Sequence, residues 1–214
     1  MLIEEIMKTD IQTLTPEQTV QNVFELFEEK RIRHAPVVEN GKVVGIVSDR
    51  DLKDALPSRF TVSPKKDAYE KKVKDIMTKN PITGHPMDFV EEIAVIFYDQ
   101  QIGCLPIISS GKLVGFITET DLLYKYIELT GAHQPGSQIE IKVPDRSGVL
   151  FDVSKVFHDK NVNILSVLVY PDSNNRANKI LVFRVQTMNP LALIDDLRKE
   201  GFDVLWPSAP QMNE

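Results

Sequence analysis

Two stretches decide the fold: VVGIVSDRD, Val43 to Asp51, and LVGFITETD, Leu113 to Asp121. Each reads as a buried strand running directly into a helix. Val43, Val44, Ile46 and Val47 form a short β-branched apolar run, the pattern of a strand covered on both faces. Gly45 interrupts the run where a missing side chain lets another segment approach closely. Ser48 suits a helix cap, and Asp49 and Asp51 suit a first turn, whose unpaired amides favour negative charge. Gly115, Thr118 and Asp121 repeat these roles.

The strand-to-helix junction supports two readings. In one, free N–H groups at the helix start hold a phosphate, the cap hydroxyl donates to it, and the carboxylate three residues on accepts two ribose hydroxyls. In the other, Ser48 with Asp51 and Thr118 with Asp121 are capping boxes of the form [ST]-x-x-[DE], which need no ligand. Repetition of the whole arrangement favours the ligand.

The repeat extends well beyond the motif. Met7 pairs with Met77, Pro16 with Pro86, Pro36 with Pro106, Gly41 with Gly111, Gly45 with Gly115 and Asp51 with Asp121, each 70 positions apart without a gap. Val20, Val23, Phe24 and Phe27 lie on one helical face, and Val90, Ile93, Ala94 and Phe97 repeat it. Each unit opens with a short turn (EEIMK or KDIMT) and a brief strand near Thr13 or Thr83. A helix capped at Thr15, more weakly where His85 replaces it in the second copy, leads to a hairpin turned by Asn40-Gly41 or Ser110-Gly111, and a closing helix follows. The unit is β-α-β-β-α. Pro57 to Lys72, with its prolines, serines and lysines, reads as a linker or solvated loop.

After the break at Gly131 to Gly136, a third unit begins. Ile139 to Val143 alternates as a half-buried strand. A helix carries Leu150, Val153, Val156 and Phe157, and strands Asn163 to Tyr170 and Lys179 to Val185 pair. A second helix bears Leu191, Ile194 and Leu197, and Phe202 to Trp206 is the last strand. The order β-α-β-β-α-β is ferredoxin-like. Tyr170 and Trp206 read as packing residues.

Composition bounds the function. A net charge of −6 in 214 residues argues against a general nucleic-acid binder. One cysteine, Cys104, forms no internal disulfide or cysteine zinc cluster. The N-terminus does not read as a signal peptide and no run is long enough to span a membrane, so a cytoplasmic location is expected. The four histidines lack metal-ligand spacing, Cys104 lacks a nucleophile signature, and there is no P-loop, so an enzyme is not expected. His34 and Cys104 share one repeat position, which reads as packing or cleft lining.

The doubled unit resembles a tandem pair of CBS domains (a Bateman module), on the glycine, hydroxyl and aspartate in both copies and on the strands with Pro36 and Pro106. The third unit resembles an ACT domain, on its topology and on Asp145-Arg146-Ser147-Gly148-Val149-Leu150. In this order the whole chain is similar to the AcuB family of bacterial acetoin utilization proteins. The resemblance implies an α+β fold. Two CBS units, 1–60 and 73–130, flank a linker at 61–72 and form one pseudo-twofold module, and a ferredoxin-like ACT domain follows at 137–208.

It also implies an adenine nucleotide (AMP, ADP or ATP) as a regulatory ligand rather than a catalytic cofactor. The family's hydroxyl and aspartate fall on Ser48 and Asp51, and on Thr118 and Asp121. Its base contacts, largely backbone and apolar, fall on Thr13, Ala35 and Pro36 in one cleft and on Thr83, Leu105 and Pro106 in the other. Arg50 stands where the second copy has Thr120, and its guanidinium would favour the more phosphorylated ligand. The plainer reading of Arg50 is a surface residue paired with Asp49 or solvent. In the ACT unit the resemblance places a candidate amino-acid contact at Asp145, Arg146, Ser147 and Gly148. The implied protein is a homodimeric regulator of an unidentified partner in acetoin or butanediol catabolism, with no role for nucleic acid, membrane or metal. The alternatives are a ligand-free dimerisation scaffold and an amino-acid sensor acting through the ACT unit.

Overall fold

The computed structural model describes residues 1–56 and 66–207, with backbone alone at 66 and 67. The chain forms two compact units, Met1–Leu123 and Tyr124–Glu214. In the first, a 3₁₀ turn at Ile3–Glu5 precedes α1 (Val20–Lys30), β1 (His34–Glu39), β2 (Lys42–Ser48) and α2 (Asp49–Ala55). Then come the short elements α3 (Lys66–Glu70), α4 (Val73–Ile76) and β3 (Thr78–Lys79). The second repeat continues with α5 (Val90–Gln100), β4 (Cys104–Ser109), β5 (Lys112–Thr118) and α6 (Glu119–Thr130), and the division between units falls inside α6.

The two hairpins share one register: Val37 faces Gly45, and Ile107 faces Gly115. Asn40, Gly41, Ser110 and Gly111 all have positive φ, as the twist of a two-residue hairpin demands. Thr15 does not cap α1. The Thr15 N–H instead donates to the Gln18 side chain at 2.7 Å in a separate turn, and Thr19 with Asn22 forms the cap. The strands expected near Thr13 and Thr83 are single parallel bridges, Leu14 to Val37 and Gly84 to Ile107. Phe24 and Ala94, expected on the buried face, are exposed. Residues 57–65 of the expected linker lie outside the described residues. The part from 66 to 72 is not a solvated loop: it contains α3, buries Ala68, and the Lys71 carbonyl accepts from the Val20 N–H at 2.9 Å.

The repeats are interlocked through their opening turns. Ile3 packs in the core of the second repeat, with Ile93, Phe97, Leu105, Ile107 and Ile117. Its equivalent, Val73, packs in the core of the first, with Leu14, Val20, Val23, Val37 and Val47. Main-chain bonds follow the same exchange: Lys8 and Phe116 trade two N–H···O bonds at 2.9 Å, and β3 pairs with β2, Thr78 opposite Ile46. The glycines repeated in the two copies have their reason here. A β-carbon on Gly45 would lie 2.5 Å from the Met77 sulfur, and one on Gly115 would overlap the Met7 sulfur. Each glycine is the seat of the methionine that opens the other repeat.

The cores also trade volume. In the first repeat Leu14 and Ala35 are fully buried together. In the second the equivalent pair is Gly84 and Leu105, and a β-carbon on Gly84 would come within 2.7 Å of the Leu105 side chain. One leucine fills the same space from opposite walls.

The second unit contains β6 (Ser137–Pro144), α7 (Val149–Asp159), β7 (Ile164–Pro171), β8 (Asn178–Val185), α8 (Leu191–Lys199) and β9 (Asp203–Trp206). Its antiparallel sheet has the order β7-β8-β6-β9, the ferredoxin-like arrangement. Ile139, Ile141 and Val143 of β6 and Leu181, Phe183 and Val185 of β8 bury against the two helices, with Phe157 and Phe183 rings stacked at 4.5 Å. The buried helical positions include Val149 and Leu193, whereas Leu150 and Leu191 are exposed. Tyr170 and Trp206, expected to pack, are also exposed. Residue 208, the expected end of this domain, lies outside the described residues.

Two outcomes follow from the interlocked cores. Ile3→Ala, although almost at the chain start, should cost about 2–5 kcal/mol in denaturant unfolding, the range for a fully buried isoleucine; a loss below about 1 kcal/mol would mean the turn is not part of the core. Gly84→Leu alone should destabilise by overpacking, and Gly84→Leu with Leu105→Ala should recover most of the loss. Additive losses would show that the two positions do not share one space.

Candidate functional site

A cleft of about 1020 Å³ lies in the first unit, lined by residues of both repeats. This is at the upper end for small-molecule sites. Strand alternation decides which residues reach it. Along β1, His34 and Pro36 line the cleft while Ala35 and Val37 turn into the core; at the start of β4, Cys104 lines it while Leu105 turns inward. Ile46 and Phe116, at equivalent positions on β2 and β5, supply apolar walls.

Both signature turns meet this cleft. The Ser48 N–H and hydroxyl each donate to Asp51 Oδ2 at 2.7 Å, and the Asp51 N–H returns a bond to Ser48 Oγ at 3.3 Å. Thr118 and Asp121 repeat this, with 2.9 Å and 2.6 Å to Asp121 Oδ2 and 3.3 Å in return. The capping boxes therefore form in both copies. They occupy only one oxygen of each carboxylate. Among the described residues Asp51 Oδ1 has no hydrogen-bond or ion-pair partner, whereas Asp121 Oδ1 is held by Lys8 Nζ at 2.7 Å.

Of the residues singled out in the sequence, Pro36, Ser48, Arg50, Asp51 and Thr118 line the cleft. Thr13, Ala35, Thr83, Leu105, Pro106 and Asp121 are not among its lining residues. Ala35 and Leu105 are fully buried in the two cores, so a ligand would meet them only through their backbone. Arg50 is exposed and, among the described residues, unpaired. Asp49, its expected partner, is instead bonded to Lys53 at 2.8 Å, which holds the Asp49 carboxyl below its ordinary value.

Sequence reading missed Lys8 and the approach segments Asp10 to Gln12 and Asn80 to Ile82, all of which line the cleft. The signal for Lys8 was present: it is a break in the repeat, standing where the second copy has the neutral Thr78. Glu119 is placed near His34 across the repeats, since a β-carbon on the adjoining Gly103 would lie 3.4 Å from His34 Nε2 and 3.5 Å from Glu119 Oε2. Burial pushes the His34 imidazole below its ordinary value, against the opposing pull of Asp49, Asp51 and Glu119. Burial likewise pushes the Cys104 thiol up to about 12, with Asp51 and Glu119 adding to the effect. A thiol so held stays protonated at neutral pH and is a poor nucleophile.

In the second unit the loop Asp145 to Gly148 joins β6 to α7. Its charged side chains are engaged internally, Asp145 with Lys179 at 2.7 Å and Arg146 with Asp152 at 2.6 Å. Gly148 has φ +81° and nothing within 4 Å of a built β-carbon, so its backbone is open to approach. Among the described residues no cluster of three His, Cys, Asp or Glu is placed to hold a metal ion. No helix among them is long and apolar enough to cross a membrane.

Comparison with known proteins agrees with this architecture. A family model for the CBS domain matches residues 3–58 and 73–128, and one for the ACT domain matches residues 137–202. The chain belongs to the CBS-domain family, as a tandem pair followed by an ACT domain. A CBS domain-containing protein of Dictyostelium discoideum is 32% identical over 143 residues, 64% of this chain and 99% of the relative. Three other curated relatives are longer, and the chain spans only 24% to 36% of them. Among solved structures, a Vibrio cholerae protein provisionally named acetoin utilization protein (AcuB) is 30% identical, with a TM-score of 0.54 over 63% of this chain and 96% of that one. The structure of CBSX2 in complex with AMP is 25% identical, with a TM-score of 0.53 over 60% of this chain and 97% of that one.

The state of His34 gives a pH dependence. An imidazole whose folded value lies below its ordinary 6.5 binds its proton more readily in the unfolded chain. Its contribution to stability is complete above about pH 6.5 and is lost as pH falls through the depressed folded value. His34→Gln should therefore flatten the pH dependence of thermal unfolding below about pH 6.5 and leave it unchanged above about pH 7. Parallel curves for the two proteins would place His34 in a solvated setting.

Proposed function

We propose that the chain is a regulatory sensor whose CBS pair binds an adenine nucleotide, and that binding alters how the protein meets a regulated partner. The observation that carries this reading is the cleft. One cavity of nucleotide size receives both signature turns, together with an Asp51 carboxylate oxygen and an exposed Arg50 guanidinium that have no partner among the described residues. Asp51 would accept the ribose hydroxyls, Arg50 would meet a phosphate, and Ile46, Pro36 and the adjoining backbone would cover the base. The Ser48 hydroxyl has a single proton and spends it on Asp51, so it would turn to serve a ligand. AMP in the CBSX2 structure supports the ligand class.

The sensor is read as a homodimer located in the cytoplasm and without catalytic activity of its own. Similarity to the Vibrio cholerae protein supports a regulated step in acetoin or butanediol catabolism. Control by a ligand requires that it bind two conformations of the protein unequally. The internally paired loop at Asp145 to Gly148 gives no comparable support to an amino-acid site, and the nucleotide reading is preferred.

Thermal unfolding with AMP, ADP, ATP, NADH and S-adenosylmethionine tests the reading. A ligand at about 100 times its Kd adds about 2.7 kcal/mol, a rise of roughly 5–10 °C for a chain of this size. The shift should shrink in Asp51→Ala and vanish in the double variant with Asp121→Ala. No shift with any ligand would leave both motifs as capping boxes. Arg50→Ala should weaken ADP and ATP about tenfold and spare adenosine, the loss of one charge-assisted bond. Equal losses for all three would remove Arg50 from the site.

A further inference from the structure

We infer that Lys8 makes the Asp121 half of the cleft selective for a phosphorylated nucleoside: the phosphate draws Lys8 away, and the released carboxylate oxygen takes the ribose hydroxyls. This rests on the reading of the cleft as a nucleotide site and adds the residue that decides what one half admits.

The two halves begin from the same frame. Lys8 is fixed by its backbone pairing with Phe116, and Thr78 by its pairing with Ile46 at the equivalent positions of the first repeat. Both side chains line the cleft. Asp121 and Asp51 are tied by one oxygen to their own caps. The difference lies in the second oxygen. Lys8 Nζ sits on Asp121 Oδ1 at 2.7 Å, and the neutral, shorter Thr78 places no cation on Asp51.

That ion pair is built to exchange. The Lys8 side chain is 62% exposed and that of Asp121 only 14%, so the carboxylate stays and the ammonium moves. With its ammonium largely in solvent, the pair is screened and its exchange for a phosphate costs little. A ribose alone offers Lys8 no new partner, so a bare nucleoside must compete with the ammonium for Asp121. A nucleotide supplies both replacements: its hydroxyls satisfy Asp121 and its phosphate satisfies Lys8. Without Lys8, a phosphate in this half would face Glu119, which lines the cleft, with one cation fewer. Arg50 acts differently in the other half. It adds a phosphate contact without blocking Asp51, so that half also admits the unphosphorylated nucleoside.

Isothermal titration of the full chain with AMP and with adenosine, on the Asp51→Ala background, reads the Asp121 half alone. AMP should bind there much more tightly than adenosine. Adding Lys8→Met should weaken AMP about tenfold and tighten adenosine, so that the ratio of their Kd values collapses by tenfold or more. Lys8→Arg should keep the preference, and an unchanged unfolding midpoint shows that each variant is folded. An unchanged ratio in Lys8→Met overturns the inference. Wild-type binding that disappears altogether in Asp51→Ala also overturns it, while leaving the nucleotide reading intact. Absence of binding by either ligand to the wild type sinks both.

Discussion

The structure of the first unit depends on an exchange of opening turns. Ile3 completes the core of the repeat it does not belong to, and Val73 does the same in return. Neither repeat buries its apolar face from its own sequence alone, because a residue from the opening turn of the other repeat closes it. A repeat of some 60 residues is near the lower limit at which a single core is self-sufficient. Interlocking completes each of the two cores and ties the two β-hairpins together. The cleft depends on that tie: its walls come from β1 and β2 of one repeat and β4 and β5 of the other.

The exchange also determines which residue faces each carboxylate. The segment that carries Ile3 into the second core continues as the short pairing of Lys8 with Phe116, directly before the Asp121 turn. Its counterpart brings Thr78 alongside Ile46, before the Asp51 turn. A change of side chain in an opening segment of one repeat is therefore felt in the binding half of the other. Packing and ligand chemistry meet in the same nine or so residues, with Met7 seated on Gly115 and Lys8 reaching Asp121.

Much of this was legible in the sequence, and what was missed has a physical cause. The repeat, the hairpins, the capped helices and the ferredoxin-like order depend on local pattern and turn chemistry, which a linear reading captures. Gly45 and Gly115 were recognisable as places of close approach, but not what approaches them, because the methionines come from the opposite repeat. Ala35 and Leu105 were placed near the base by the family resemblance, as contacts made largely through backbone. Strand alternation turns them into the core, where each is sized to its partner, Leu14 or Gly84. Thr15 looked like a cap because its motif is complete, yet Gln18 closes a separate turn and Thr19 caps the helix. In the third unit only the first position of each helical face was misplaced, Leu150 read for Val149 and Leu191 for Leu193, while Val153, Val156, Phe157, Ile194 and Leu197 are buried as read; a short apolar run does not say where the helix begins.

The pattern of divergence between repeats carries the functional argument further than their similarity does. Core positions stay apolar: Phe27 and Phe97 are identical, Val23, Val37 and Val47 become Ile93, Ile107 and Ile117, and the loss of a leucine from Leu14 to Gly84 is matched by its gain from Ala35 to Leu105. Cleft positions change their chemistry: Lys8 to Thr78, His34 to Cys104 and Arg50 to Thr120. Packing tolerates exchanges of similar volume and hydrophobicity, so the cores could drift without loss of the fold. The hydroxyl and carboxylate pair stands in both halves, where it caps the following helix and leaves one carboxylate oxygen outside the cap. What the two halves hold in common is the group that would grip a sugar. What they hold separately are the cations that would grip a phosphate, Lys8 beside Asp121 and Arg50 beside Asp51. Two halves with one shared recognition element and different charges are suited to answering differently to ligands that share a nucleoside and differ in phosphorylation.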